Sequence, residues 1–256
     1  MKLVAAALLL WIWQAACVVP TDRSDNVAPT HDFYVVGADV QQGATSVPKN
    51  RDLTVIFSDR PDLATLSQAT VRIKAGGHTI RTDYHQDLVR CSVTLHPSEE
   101  MAPGLTHILS ARPPLTSVHG VVLDQEWSVG FTTGDATSPH PNGPVVSDDT
   151  IGHRVFDTRC GCCHDPVVGT ARHILALDAT TAVTQYSNQR PNLLLVQPGS
   201  QRDSYLVHKV LGLSDIIGEP MPPPGQECAG TTAMARSCAS IDPDLLLLAD
   251  WIDGHP

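Results

Sequence analysis

Cys160-Gly161-Cys162-Cys163-His164 constrains this chain more than any other stretch. Two cysteines separated by two residues and followed directly by histidine fit C-x-x-C-H, the signature for covalent attachment of a c-type haem. The thiols of Cys160 and Cys163 would add across the two vinyl groups of the porphyrin. His164 would then meet the iron from the proximal side. The cysteine spacing has to match the separation of the vinyl groups, and the histidine has to follow at once because the second thioether fixes its reach. Other chemistries use similar cysteines: a disulfide pair, a thiol redox site, or part of a zinc site. Zinc would require two more ligands at finger-like spacing, and no second C-x-x-C or H-x-x-x-H follows. A thioredoxin-like site would want a βαβ setting, which the sequence does not show.

The residues before the motif predict a helix from Asp148 to Arg159, with acidic residues at its start. Gly152, Phe156 and Cys160 recur every four residues and share one face. Gly152 leaves room there for a second helix. Asp242-Pro243-Asp244 opens such a helix near the end of the chain, with Leu248, Trp251 and Ile252 on one face and Gly254 closing it. Between the two lies Gly218-Glu219-Pro220-Met221-Pro222-Pro223-Pro224-Gly225. Proline restricts the backbone, so Met221 is held as a candidate distal ligand of the iron. Its rival is Met234, since Met1 is the initiator and Met101 lies in another region. His153, His173 and His208 are the histidines that could compete for the iron, and each reads instead as a surface or boundary residue.

Taken together, residues 148–256 resemble a small class I cytochrome c. The resemblance rests on Gly152, Phe156, Cys160 to His164, Val196-Gln197-Pro198-Gly199, Ser204-Tyr205-Leu206, Met221-Pro222 and the closing Leu248-Ala249-Asp250-Trp251-Ile252-Asp253-Gly254. It implies an all-α haem domain holding one covalent haem c on Cys160 and Cys163. It also implies iron ligands at His164 and Met221, and first and last helices that cross near Gly152, Phe156 and Trp251. Cys162 is an extra thiol inside the motif. Cys228 and Cys238 are expected to pair with each other, and the alternative joins one of them to Cys162. Such a loop of roughly ten residues would stabilise by ~2–3 kcal/mol.

The amino terminus predicts export. Lys2 opens a short positive region, and Leu3 to Trp13 is apolar but too short to span a bilayer. Gln14-Ala15-Ala16-Cys17 resembles a lipobox, which makes Cys17 the lipidation candidate and residues 1–17 a signal peptide. The alternative is ordinary secretory cleavage. Either way the expected location is the periplasm or cell surface, with lipid anchoring to the outer membrane under the first reading. The formal charge of −10 and the absence of a Lys/Arg cluster argue against nucleic-acid binding.

Residues 18–31 read as a polar linker, and from residue 32 the hydrophobic period becomes two. Leu53, Val55 and Phe57 alternate with polar or outward positions, as do Val89, Cys91, Val93 and Leu95, and then Trp127, Val129 and Phe131. Turn signals at Pro48-Lys49-Asn50, Ala75-Gly76-Gly77 and Ala102-Pro103-Gly104 separate the runs. This pattern predicts an antiparallel β-sandwich over residues 32–134. The region resembles the SbsA-type bacterial Ig-like domain, named after an S-layer protein. The resemblance rests on Val47-Pro48-Lys49-Asn50, Leu66 to Val71, Met101 to Thr106, and Phe131-Thr132-Thr133-Gly134. His107 is expected in the core or at its rim, and Cys91 as a small buried hydrophobe. Asp59, Asp62 and Asp83 form no calcium loop. Residues 135–147 read as a Pro-rich, semi-rigid linker. The fold class expected is therefore an all-β Ig-like sandwich followed by an all-α, cytochrome c-like haem domain. The expected function is electron transfer with redox partner proteins, without catalytic residues. The rival readings are a structural or adhesion lipoprotein with a disulfide-stapled, haem-free terminal module, and a peroxidase-like or gas-sensing haem protein.

Overall fold

The computed structural model describes residues 32–138, 145–165 and 177–255. Cys17, the signal peptide, the first linker, His140, Pro166 and His173 lie outside them.

Alternating apolar residues between 33 and 133 build two sheets. The first contains β1 (Val35–Ala38), β3 (Leu53–Phe57), β6 (Thr82–Asp87) and β7 (Ser92–Pro97), in the order β1-β3-β7-β6. The second contains β2 (Ala44–Val47), β4 (Val71–Ala75), β5 (His78–Ile80), β8 (Thr106–Ala111) and β9 (Trp127–Thr133), in the order β2-β9-β8-β4-β5. β2 joins β9 in parallel, and the other pairings in these two sheets are antiparallel. Leu53, Val55 and Phe57 point inward, while Ile56 is exposed. They pack with Phe33, Val93, Leu109 and Phe131 between the sheets. His107 is fully buried and stacks on Phe131 at 5.5 Å.

The run from Val89 to Leu95 is not the single strand that its alternation predicts. Leu88 to Cys91 form the turn between β6 and β7. The Asp87 carboxylate accepts the Arg90 N–H at 2.7 Å, and Cys91 adopts a positive φ of 55°. A side chain that caps a backbone N–H competes with the sheet ladder, and here it ends the strand. The turn projects from the sandwich into the C-terminal part. Leu88 and Val89 are buried there with Val155, Phe156, Leu248 and Trp251. Cys91 is disulfide-bonded to Cys238, 147 residues away in sequence. It is buried as expected, but as half of a crosslink rather than as a small hydrophobe.

Polar contacts complete the junction. Buried Arg60 donates to the carbonyls of Leu88 and Arg236. Arg90 pairs with Asp87 at 2.9 Å and with Asp250 at 2.6 Å. The Val89 N–H donates to Gln201, whose amide donates to Asp253. The start of the expected linker is also docked, because Ser138 and Asn50 exchange two hydrogen bonds of 2.8 Å. The described residues form one compact unit.

The C-terminal part corrects the expected all-α domain. A continuous helical run contains α1 (Asp148–Ile151), a π-helical segment (Gly152–Cys160) and α2 (Gly161–His164). Among the described residues two short helices follow, α3 (Ala179–Thr184) and α4 (Tyr205–Leu211), then a small hairpin of β10 (Arg236–Ser237) and β11 (Ser240–Ile241), and finally α5 (Pro243–Gly254). Much of the stretch between α4 and the hairpin is turns, where Gly212, Gly218, Pro220, Pro222 to Pro224, Gly225 and Gly230 interrupt helical backbone. The molecule is therefore mostly β, and a class I cytochrome c fold is not what these residues build. The first and last helices do pack against each other, but not through Gly152, where a Cβ would meet nothing within 4 Å. Phe156 and Trp251 do meet, edge to face at 5.8 Å. Asp242 caps α5 by accepting from the Asp244 N–H, and Pro243 occupies its first turn.

Candidate functional site

The π-helical segment delivers Cys160 to the start of α2, which carries Cys162, Cys163 and His164. Arg159 fixes this end of the run. It donates to Asp244 at 2.7 Å, approaches Asp242 at 3.3 Å and donates to the Thr232 carbonyl at 2.9 Å. Arg154 adds a contact to Asp244 at 2.9 Å. The motif is thus tied to the N-terminus of α5 and to the loop before β10.

Three of the four sulfurs here come from the motif and the fourth from Cys228. Cys162 and Cys228 are disulfide-bonded. The expected Cys228–Cys238 bond does not form, because Cys238 reaches Cys91 and Cys228 reaches Cys162. Cys228 Sγ also lies 3.3 Å from the Arg159 carbonyl oxygen. Among the described residues Cys160 and Cys163 are the free cysteines. Burial pushes the Cys160 thiol up to about 12, with Cys163 adding to the shift and Arg159 opposing it. Cys163 Sγ sits 4.0 Å from Cys162 Sγ. The two free thiols are three residues apart and neighbours on one helix face, while Cys162 is turned toward Cys228.

The other candidate ligands are dispersed. Met221 is half-buried in its proline loop, and its N–H donates to the Lys209 carbonyl. Met234 belongs to the hydrophobic core. His208 has both ring nitrogens engaged, with Asp215 at 2.8 Å and the Arg202 carbonyl at 2.6 Å. His153 is exposed between Asp149 and Asp157, and the hydrogen bond to Asp157 raises its pKa. Both are the surface or boundary residues expected. Among the described residues no group of three or more His, Cys, Asp or Glu side chains could hold a metal ion. Sequence reasoning missed Arg159, Asp242 and Asp244 as the clamp around the motif. Their charges stood 83 residues and more apart in sequence, without a local pattern to link them.

A cleft of about 230 Å³ lies where β6 faces the Gly199 to Asp203 turn. Tyr84, His85, Gln86 and Arg202 line it. The His85 imidazole lies 3.5 Å from Asp253, and that hydrogen-bond partner raises its pKa.

No family model matches the chain, and no curated protein matches it. Solved structures similar to it include domains 1–6 of the surface layer protein SbsC, at 13% identity and TM-score 0.32, covering 48% of this chain and 16% of that one. L,D-transpeptidase 1 from Mycobacterium tuberculosis is 19% identical at TM-score 0.27, over 40% of this chain and 38% of that one. CopC from Methylosinus trichosporium OB3b is 15% identical at TM-score 0.34, over 42% of this chain and 99% of that one. The chain thus spans a minor part of the first two proteins. These scores carry no argument about activity. No helix among the described residues is long and apolar enough to cross a membrane.

Proposed function

We propose that the chain is an exported structural or partner-binding protein, held to a membrane through Cys17, whose sandwich carries a disulfide-stapled C-terminal module. The observation behind this reading is the Cys91–Cys238 bond, which joins the two parts covalently at a buried junction. Structural disulfides persist in oxidising compartments and are rare in the cytosol. Together with the apolar amino-terminal run they support export. The sandwich then acts as a rigid presenter of the module. Fractionation of cells expressing the full chain tests this. The expected result is a membrane-associated, exported protein with both disulfides formed and no visible absorbance. A reduced cytosolic product would overturn the reading.

A second reading is favoured by one observation, the two free thiols at C-x-x-C spacing directly before a histidine. Cys160, Cys163 and His164 fit covalent haem attachment, with the thiols as thioether donors and His164 as the axial group. Bound haem would supply one-electron chemistry, and the chain's own part would be to hold it and exclude water. The same fractionated protein separates the two readings, because covalent haem gives a Soret band that survives denaturation and disappears in Cys160→Ser.

A further inference from the structure

We infer that the Cys162–Cys228 bond is a protecting disulfide: it withdraws the third thiol of the Cys-Gly-Cys-Cys run, so that Cys160 and Cys163 remain as one defined pair of free thiols. The geometry carries this in three steps. Cys160 and Cys163 share a helix face, whereas Cys162 is exposed and lies off it, bonded to Cys228. The Cys228 loop is placed by groups that flank the motif. Cys228 Sγ rests 3.3 Å from the Arg159 carbonyl, and the Arg159 side chain donates to Thr232 in the same loop. Arg159 therefore positions Cys228 over Cys162 and acts through that cysteine.

The sorted state also resists exchange. Cys163 is the free thiol in contact with the bond, 4.0 Å from Cys162 Sγ. Exchange would run by attack of the Cys163 thiolate on Cys162 Sγ. A Cys162–Cys163 bond would form, the Cys162–Cys228 bond would break, and Cys228 would leave as a thiolate and take up the proton that Cys163 lost. No electrons enter or leave. The product links adjacent helical residues, whose side chains diverge by about 100°, so α2 would have to open. Burial of Cys160 makes it the poorer competitor. Sorting acts on the pair in whatever state it is, dithiol or haem-bearing. In the second case it rests on the second reading above.

The test is peptide mass mapping of the full chain, refolded in reduced and oxidised glutathione. Parent, Cys228→Ser and Cys162→Ser/Cys228→Ser are compared. The parent is expected to give one dominant pattern with Cys162 bonded to Cys228. Cys228→Ser is expected to leave Cys162 as a third, exposed thiol that takes up glutathione and competes for the other two, so that the single pattern is reduced at least about tenfold. The double variant is expected to return Cys160 and Cys163 to one homogeneous state. Arg159→Gln should raise the scrambled fraction with Cys228 present. A uniform pattern in Cys228→Ser, or continued scrambling in the double variant, would overturn the inference. A haem adduct, present or absent on Cys160 and Cys163 of protein taken from cells, reports on the second reading alone.

Discussion

His107 sits fully buried in the sandwich with only one ring nitrogen engaged, Nδ1 at 3.0 Å from the Leu105 carbonyl. Its Nε2 has no partner, and desolvation lowers its pKa. A histidine with a depressed folded pKa withholds protons that the unfolded chain binds, so stability falls as pH drops below the ordinary value of about 6.5. His107→Phe keeps the stack on Phe131 and removes the orphaned nitrogen. It should lie within about 1 kcal/mol of the parent at pH 8 and gain relative to it at pH 5, read from urea denaturation. The motif thiols differ in reactivity as well. In protein lacking any adduct, iodoacetamide at pH 8 should label Cys163 at least about tenfold faster than Cys160, measured by timed mass spectrometry. Burial of Cys91 was legible in its alternating neighbours, and that of His107 in the resemblance, which implies an inward-packing side chain there. Their partners were not. A disulfide spanning 147 residues leaves no local pattern, and cysteine connectivity cannot be deduced from spacing.

The hairpin turn from Leu88 to Cys91 is the element on which the architecture depends. Period-two apolar residues ran through it, so alternation predicted one strand. The capping of Arg90 by Asp87 prevailed because it is local and satisfies the backbone. Arg60 supports the turn from below, and its burial lowers its pKa against the charges of Asp59 and Asp87. Arg60→Met should cost about 3 kcal/mol, because two carbonyls and two nearby carboxylates lose their cation. Cys91→Ala/Cys238→Ala removes a crosslink that closes a very long loop, and should cost about 2–5 kcal/mol in chemical denaturation. The helical run before the motif was legible from its four-residue recurrence and acidic start. Its packing on α5 near Phe156 and Trp251 was legible too, but not the clamp, because Gly152 faces open space and Arg159 is held by distant Asp244. The proline and glycine residues between α4 and α5 held the information that an all-α domain was unavailable. The motif residues on either side suggested helices packed around a cofactor and drew weight away from them.

At the scale of the molecule, two parts that composition separates share one buried junction. Sandwich and C-terminal module should therefore unfold together, with coincident transitions by tryptophan fluorescence and far-ultraviolet circular dichroism. Reduction should uncouple them. The junction also carries a pH dependence opposite in sign to that of His107. The Asp253 hydrogen bond raises the His85 pKa. The stabilisation is fully present below the ordinary histidine value and is lost as pH rises through the raised one. His85 is partly exposed, so screening limits its worth to about 0.5 kcal/mol. His85→Gln should show that cost near pH 6 and none near pH 9.

Both proposed readings, and the protection of the motif, depend on which sulfurs are joined. Non-reducing proteolysis of the natively exported protein, followed by mass spectrometry, reads this directly. The expected peptides carry Cys91–Cys238 and Cys162–Cys228, with Cys160 and Cys163 outside either bond. A Cys228–Cys238 peptide, or Cys91 recovered as a free thiol, would contradict the account.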